Sequence, residues 1–393
     1  MMLPELCLAA LALPAALCCA YLLVLTLLSA ALPAPAGGER RLRFDVIVPA
    51  HNEATGIVRT VRSLAKLDWP ADLFRILVIA DNCTDATAAV ARAAGATVLE
   101  RSNASQRGKG YALAFAFQVS REQAQADAVV VVDADSEVSA NMLQAFAARI
   151  DSGAAAVQAH YGILNPMDSW RTRLITIAKG SFHILRSRAR ERLGVSAGIR
   201  GNGWCVTHAL LAQAPYRYFS LTEDLEYGIA LGLAGVRVHY ADEAHADGEM
   251  VTHAAAAGPQ RQRWEHGRFQ LVRSQSPALL AAAITRSSAL CLDLALDLLV
   301  PPLSYVVLNI MVLGAAAGAA SWRSPSNAPW LWLAAGCALS VLVYVLRGWR
   351  LSGIGMRGLL DLAGAPLFLA WKLVVMLRSS GGGGWVRTPR EKP

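Results

Sequence analysis

From residue 44 onward the chain alternates short, unbroken apolar runs with longer segments whose apolar residues recur every three or four positions. Runs at 44–49, 74–80, 97–99 and 128–132 predict strands. The most continuous of them, Ala128-Val129-Val130-Val131-Val132, has the character of a strand covered on both faces in a parallel sheet. Between the first two runs, Ile57, Val58, Val61, Leu64 and Leu67 stand at helical spacing, and helices are also predicted over 85–94 and 110–125. Strands alternating with helices at this interval predict a doubly wound α/β unit with a mostly parallel sheet. Past residue 150 the pattern loosens, with a strand predicted over 154–160 and helices over 170–192 and 224–233.

At the two ends the apolar stretches are far longer, over 3–32 and again over 290–377. A helix needs about 20 residues to cross a bilayer, and 3–32, 294–320 and 329–346 each predict a span. Only Glu5 precedes the first core, whereas Arg40, Arg41 and Arg43 follow it. That asymmetry predicts an uncleaved anchor with residue 40 onward in the cytoplasm. The segment 359–377 is interrupted by Asp361, Pro366 and Lys372, and another crossing would place Arg378, Arg387, Arg390 and Lys392 outside, so an interfacial segment is expected there. The expected organisation is an anchor over 1–36, a cytoplasmic catalytic domain over 40–275, interfacial and transmembrane helices over 276–378, and a cytoplasmic tail over 379–393. A multi-pass protein of a bacterial inner (plasma) membrane is the expected setting.

Composition agrees, with 54% hydrophobic and only 17% charged residues, against about 25% charged in an ordinary soluble domain. The net charge of +8 comes largely from basic residues bordering the apolar stretches. No basic patch interleaved with stacking aromatics is visible, so nucleic acid is not called for. Of the seven cysteines, Cys7, Cys18, Cys19, Cys291 and Cys337 lie in or beside apolar segments, and no paired spacing suggests zinc or a disulfide framework.

Candidate chemistry gathers where the predicted strands end, the place at which ligands of parallel sheets bind. Pro49-Ala50-His51-Asn52-Glu53, Ala80-Asp81-Asn82-Cys83 and Asp133-Ala134-Asp135 occupy those ends. Two carboxylates one residue apart suit a Mg²⁺ or Mn²⁺ ion on a diphosphate, because such ions prefer hard oxygen ligands. Neither the glycine fingerprint of dinucleotide binding nor a Walker lysine motif is present.

In their order along the chain, Asp81, the Asp133-X-Asp135 pair, Thr222-Glu223-Asp224 and Gln260-Arg261-Gln262-Arg263-Trp264 resemble the motifs of the membrane-bound family 2 inverting glycosyltransferases. These have a GT-A catalytic domain and include bacterial cellulose, hyaluronan and poly-N-acetylglucosamine synthases. The resemblance covers residues 43–270 and implies a GT-A nucleotide-sugar-binding domain flanked by transmembrane and interfacial helices. It implies that Asp81 accepts hydrogen bonds from the uracil imide, that Glu53 meets ribose and base, and that Lys109 lies near the nucleotide. Asp133 and Asp135 would hold ribose and metal, and Asp224 would be the general base, with Glu223 buttressing its loop. Arg263 would pair with the diphosphate, with Gln260 part of the same substrate-binding motif. Trp264 would line the acceptor sugar, and Trp204, in Gly201-Asn202-Gly203-Trp204, would stack on it.

An acid in a first helical turn is held ionised by exposed amides and the helix dipole, which suits a base, and Thr222 is placed to cap that helix. Read singly, the same residues have plainer roles: a turn aspartate, a solvated lysine, a helix-capping acid, and an arginine with a tryptophan anchoring a helix at the membrane surface. The activity expected first is transfer from a UDP-sugar donor to a growing polysaccharide. The alternative is a single transfer to a membrane lipid, as in the ceramide and hopanoid enzymes that share these acids. The number of predicted spans is small for a polysaccharide synthase, so a homo-oligomer or an export partner would be needed to complete a channel.

Overall fold

The computed structural model describes residues 2–35, 37, 39–250 and 254–364, without the side chains of 2–4 and 254–266. Only 359–364 of the expected interfacial segment are therefore described, and the expected tail over 379–393 lies outside the described residues. After α1 (Met2–Leu27), the soluble part begins with β1 (Phe44–Ala50), α2 (Ile57–Leu64), β2 (Phe74–Asp81), α3 (Thr87–Ala93), β3 (Thr97–Arg101), α4 (Lys109–Gln123) and β4 (Ala128–Val131). These are the elements the periodicity predicts, with ends shifted by a few residues. β1 pairs in parallel with β2 and β4, and β2 with β3. Alternate residues face opposite layers: Val46, Val78 and Val130 enter one core, and Ile47, Leu77, Val129 and Val131 the other. A strand buried on both faces leaves no position for a polar residue, hence the unbroken valine run.

The second half adds β5 (Ser136–Val138), α5 (Met142–Asp151), β6 (Ala156–Ile163), α6 (Trp170–Lys179), a π-helical turn (Gly180–Leu185), α7 (Arg186–Arg192), β7 (Trp204–Thr207), α8 (His208–Gln213), α9 (Glu223–Leu233) and β8 (Val238–Gly248). The eight strands form one sheet in the order β3-β2-β1-β4-β7-β6-β8-β5. β6 pairs in parallel with β8, whereas β7 runs antiparallel to both β4 and β6 and β5 antiparallel to β8, so four of the seven pairings are parallel.

The chain continues through α10 (Ala254–Thr285), α11 (Ala289–Leu299), α12 (Leu303–Arg323), α13 (Ala328–Ser352) and α14 (Gly355–Leu362). Helix α10 passes unbroken through residue 275, so the expected boundary there falls inside an element. The span expected over 294–320 is also corrected. Pro301-Pro302 separates α11 from α12, because proline supplies no amide donor and disfavours helix in the residue before it. Three described helices are long and apolar enough to cross a membrane, over Glu5–Leu27, Leu303–Arg323 and Pro325–Ser352. They pack through Leu8, Ala12 and Cys19 of α1, Ile310, Leu313 and Ala317 of α12, and Ala334, Cys337 and Val341 of α13. Small residues at such contacts let backbones approach, while Leu6, Leu13, Leu17, Met311 and Leu339 face outward.

Candidate active site

The loops after β1 and β2 are laced together. Asn52 and Asn82 take positive φ of 57° and 52°, a conformation asparagine tolerates better than most residues. Asn52 Oδ1 accepts from the Thr84 amide at 2.7 Å, His51 Nδ1 lies 2.7 Å from the Asp81 carbonyl, and the Glu53 amide donates to Thr87 Oγ1 at 2.8 Å. Asp81 is buried at the end of β2 and receives Arg101 Nη1 at 2.6 Å. Glu53 and Asp81 thus share one end of the sheet. Arg101, which sequence reading passes over, neutralises the second of them.

Beyond β4, Asp133 receives Lys109 Nζ at 2.5 Å, and the same ammonium donates to the Gly201 carbonyl at 2.6 Å. Gly201 has a φ of +89°, and a Cβ there would stand 3.0 Å from Asp224 Oδ2. Lys109 and Gly201 therefore bring the paired aspartates and the Thr-Glu-Asp triplet together. Burial disfavours the charge on Lys109, yet Asp133, Glu223 and Asp224 outweigh it and hold its pKa above the usual lysine range. In return, Lys109 opposes the rise of the acids. The Glu223 carboxyl is pushed up to about 7, first by burial and then by Asp224. Asp224 is also raised, by burial above all, against the pull of Lys109 and the amides at the start of α9. Sequence reasoning expects those amides to dominate. They do not, because the carboxylate is enclosed.

Asn202, fully buried, accepts from the Asp133 amide at 3.0 Å and donates to Ser136 Oγ at 2.8 Å. Ser136 Oγ in turn lies 3.2 Å from Asp135 Oδ1. Gln158 Nε2 holds the Asn202 carbonyl at 2.7 Å, and its Oε1 accepts from the Arg200 amide at 2.8 Å. Lys179, the last residue before the π-turn, donates to the Gly162 carbonyl at 3.0 Å and lies 3.2 Å from the centre of the Tyr161 ring. Burial lowers its pKa to about 7, against the opposing pull of Asp135, Asp133 and Asp247. Gln158, a polar residue flanked by apolar ones in the predicted strand over 154–160, carried a local signal, whereas Lys179 sits among other polar residues and carried none.

Among the described residues, no group of three or more His, Cys, Asp or Glu side chains is placed to hold a metal ion by itself. The metal ligands expected from the sequence, Asp135 and Asp133, are both hard oxygen donors. That fits Mg²⁺ or Mn²⁺ bound jointly with a diphosphate and water rather than in a protein cage.

Trp204 requires correction. It is 1% exposed, its ring lies 5.9 Å from Phe117 and 6.1 Å from Tyr227, and it belongs to one of the two sheet cores. No face remains for a sugar. β7 alternates like any strand, and Trp204 falls on its inward side. Thr222 stands at the cap position of α9, but its hydroxyl lies 3.2 Å from Ser220 Oγ and makes no cap bond. The reason is visible in α10. A Cβ at Gly267 would lie 2.7 Å from Thr222 Cγ2, so α10 is pressed against this corner. The side chains of Gln260, Arg263 and Trp264 lie outside the described residues, while the backbone carrying them continues from Gly267 along the same helix.

The chain is similar to known proteins. The model of a family described as glycosyltransferase like family 2 matches residues 42–286, more than half of the chain. A β-monoglucosyldiacylglycerol synthase of Synechocystis sp. is 30% identical over 235 residues, 57% of this chain and 47% of that protein. Its namesake from Nostoc sp. is 28% identical over 233 residues, 58% of this chain and 49% of that one. The matched region thus spans about half the length of these curated relatives. Among solved structures, a mannosyltransferase of Pyrobaculum calidifontis in complex with GDP-Man and Mn²⁺ superposes with a TM-score of 0.52 at 18% identity. The match covers 86% of this chain and 97% of that one. At that identity the likeness speaks for the fold alone.

Proposed function

Because the chain belongs to the family 2 glycosyltransferases, we propose that it moves a sugar from a UDP-sugar to a lipid acceptor at the membrane surface, inverting the anomeric carbon. The observation that carries this reading is the meeting of Asp133, Lys109, Gly201 and Asp224 at one point. Asp224 takes the proton of the acceptor hydroxyl as that oxygen attacks the sugar. Its raised pKa makes it a stronger base than an exposed aspartate. Lys109 fixes Asp133 and the Gly201 loop and turns a positive charge toward the donor phosphates. Asp81 and Glu53 receive the uridine, and Gln260, Arg263 and Trp264, by the family motif they match, serve substrate binding. Mg²⁺ or Mn²⁺ held by Asp135 and Asp133 would supply Lewis-acid stabilisation of the departing diphosphate.

A lipid acceptor is favoured over a growing polysaccharide because the relatives are named for making monoglucosyldiacylglycerol. The outward-facing leucines of α1, α12 and α13 also suit a bilayer, here taken as a bacterial plasma membrane with the sheet domain on its cytoplasmic side. The test is product analysis with purified full-length protein, a panel of nucleotide sugars and diacylglycerol-containing vesicles. One glycosylated lipid is expected, and its formation should stop when divalent ions are chelated. A ladder of lengthening glycans would instead establish the polysaccharide reading. Absence of transfer from every sugar offered would overturn both.

A further inference from the structure

Behind the first turns of α9, where the sheet domain meets the membrane helices, four arginines converge on two aspartates. Arg190 bonds Asp293 at 2.6 Å and Asp297 at 3.0 Å. Arg186 reaches Asp297 at 3.0 Å and the Tyr344 hydroxyl of α13 at 2.9 Å, and Arg200 reaches Asp297 at 3.4 Å. Arg268 donates to the carbonyls of Asp297 and Val300, both at 2.8 Å, at the carboxyl end of α11. On the membrane side, Tyr21 of α1 donates to Asp293 at 2.9 Å. Four guanidinium groups against two carboxylates leave two positive charges in excess.

The surplus is felt locally. Burial lowers the pKa of Arg200 and brings that of Arg268 to about 10, with neighbouring guanidinium groups adding to both effects. Among the described residues, Arg190 Nη2 and Arg268 Nε are buried without an acceptor, and Arg190 as a whole is 0% exposed. A buried charged donor left unpaired is costly, so a ligand that accepts from it is favoured. Both arginines, with Arg200 and the Asp297 they surround, line a cleft of about 30 Å³ whose other wall includes Leu225 and Gly228 of α9. One water needs about 10–15 Å³ on this measure, so a single small anion is the right scale.

We propose that this cleft binds a phosphate oxyanion, which accepts from Arg190 Nη2 and Arg268 Nε and offsets the excess charge beside the helix that carries Asp224. Planar guanidinium groups suit phosphate oxygens, and the contacts with Tyr21 and Tyr344 place the site at the level of lipid headgroups. The shared chemistry is phosphate, whether free or on a lipid.

The test follows thermal unfolding of the full-length protein in detergent, by tryptophan fluorescence, at constant ionic strength set with sodium chloride. Inorganic phosphate, phosphatidylglycerol micelles and phosphatidylcholine micelles are titrated separately. Phosphate or phosphatidylglycerol should raise the midpoint saturably and phosphatidylcholine should not, because its quaternary ammonium cancels the phosphate charge and cannot offset an excess of guanidinium, with a shift from phosphatidylglycerol alone identifying the lipid as the source. Arg268→Gln, whose bonds are to backbone carbonyls, should weaken the response about tenfold or more. That loss corresponds to one charge-assisted hydrogen bond. If Arg190→Gln folds, it should do the same. No saturable shift in the unmodified protein, an equal shift with phosphatidylcholine, or an undiminished shift in Arg268→Gln overturns the proposal. Because sugar transfer is not measured, failure of the glycosyltransferase reading would leave this result standing.

Discussion

Charged residues are used in opposite ways in the two halves of the molecule. On the β3-β2-β1-β4 side, Asp81, Asp133 and Asp135 stand where parallel strands end, and Asp133 keeps about a quarter of its side chain open. On the membrane side, Asp293 and Asp297 are buried amid arginines that hold the soluble domain against α1, α11 and α13. Asp297 lies well below the usual carboxylate range, since four arginines overcome the burial that would raise it. The contrast teaches that an acid's place in the fold separates chemistry from cohesion. At its strand end Asp133 meets one cation and keeps an open side, and between helices Asp297 meets several counter-charges and keeps none.

The contrast can be broken most sharply at Asp224. Asp224→Asn should lower sugar transfer about 10²–10⁴-fold, the range for loss of a general base, while UDP binding measured by calorimetry persists. Equal transfer would remove Asp224 from that role. Asp297→Asn should act on stability instead, costing about 3–5 kcal/mol because guanidinium groups are left buried without their partner. A thermal midpoint close to that of the unmodified protein would mean the cluster is not cohesive.

Trp204→Phe sharpens the comparison inside the sheet domain. Loss of packing should cost about 1–3 kcal/mol with the KM for acceptor unchanged, whereas a raised KM would restore the sugar-stacking role.

A last effect concerns pH. Glu223, pushed up to about 7 in the fold, has an unfolded value of about 4.3, so the folded state holds the proton more tightly. Its contribution to stability is present at low pH and is lost as pH rises through about 4.3 to 7. Glu223→Gln should flatten the fall of the unfolding midpoint between about pH 5 and pH 8, and an unchanged slope would show that another group carries it.

Much of the β3-β2-β1-β4 half was legible because each element there is signalled by its own neighbours. A strand buried on both faces must be apolar throughout, and the polar residue that ends it stands out, as Asp81 and Asp133 do. The other half was not. Trp204 looked like a sugar platform beside Gly201-Asn202-Gly203, yet strand pairing turns it inward. Thr222 looked like a cap, yet the approach of α10 leaves its hydroxyl beside Ser220. Lys179, Gln158 and Arg101 act through partners remote along the chain, and no local pattern announces such contacts.

By itself, the order of residues determined the alternation of strand and helix, the apolar flanks and the acids at the ends of strands. Backbone sterics and the burial of apolar side chains act over a few neighbouring positions. Only the tertiary structure decided that Lys109 and Gly201 join acids far apart in the chain, and that the carboxyl of Asp224 is raised rather than lowered. It alone also decided that four arginines share two aspartates at the edge of the membrane helices. Coulomb energy and desolvation depend on distance and enclosure in space, which the linear order does not state.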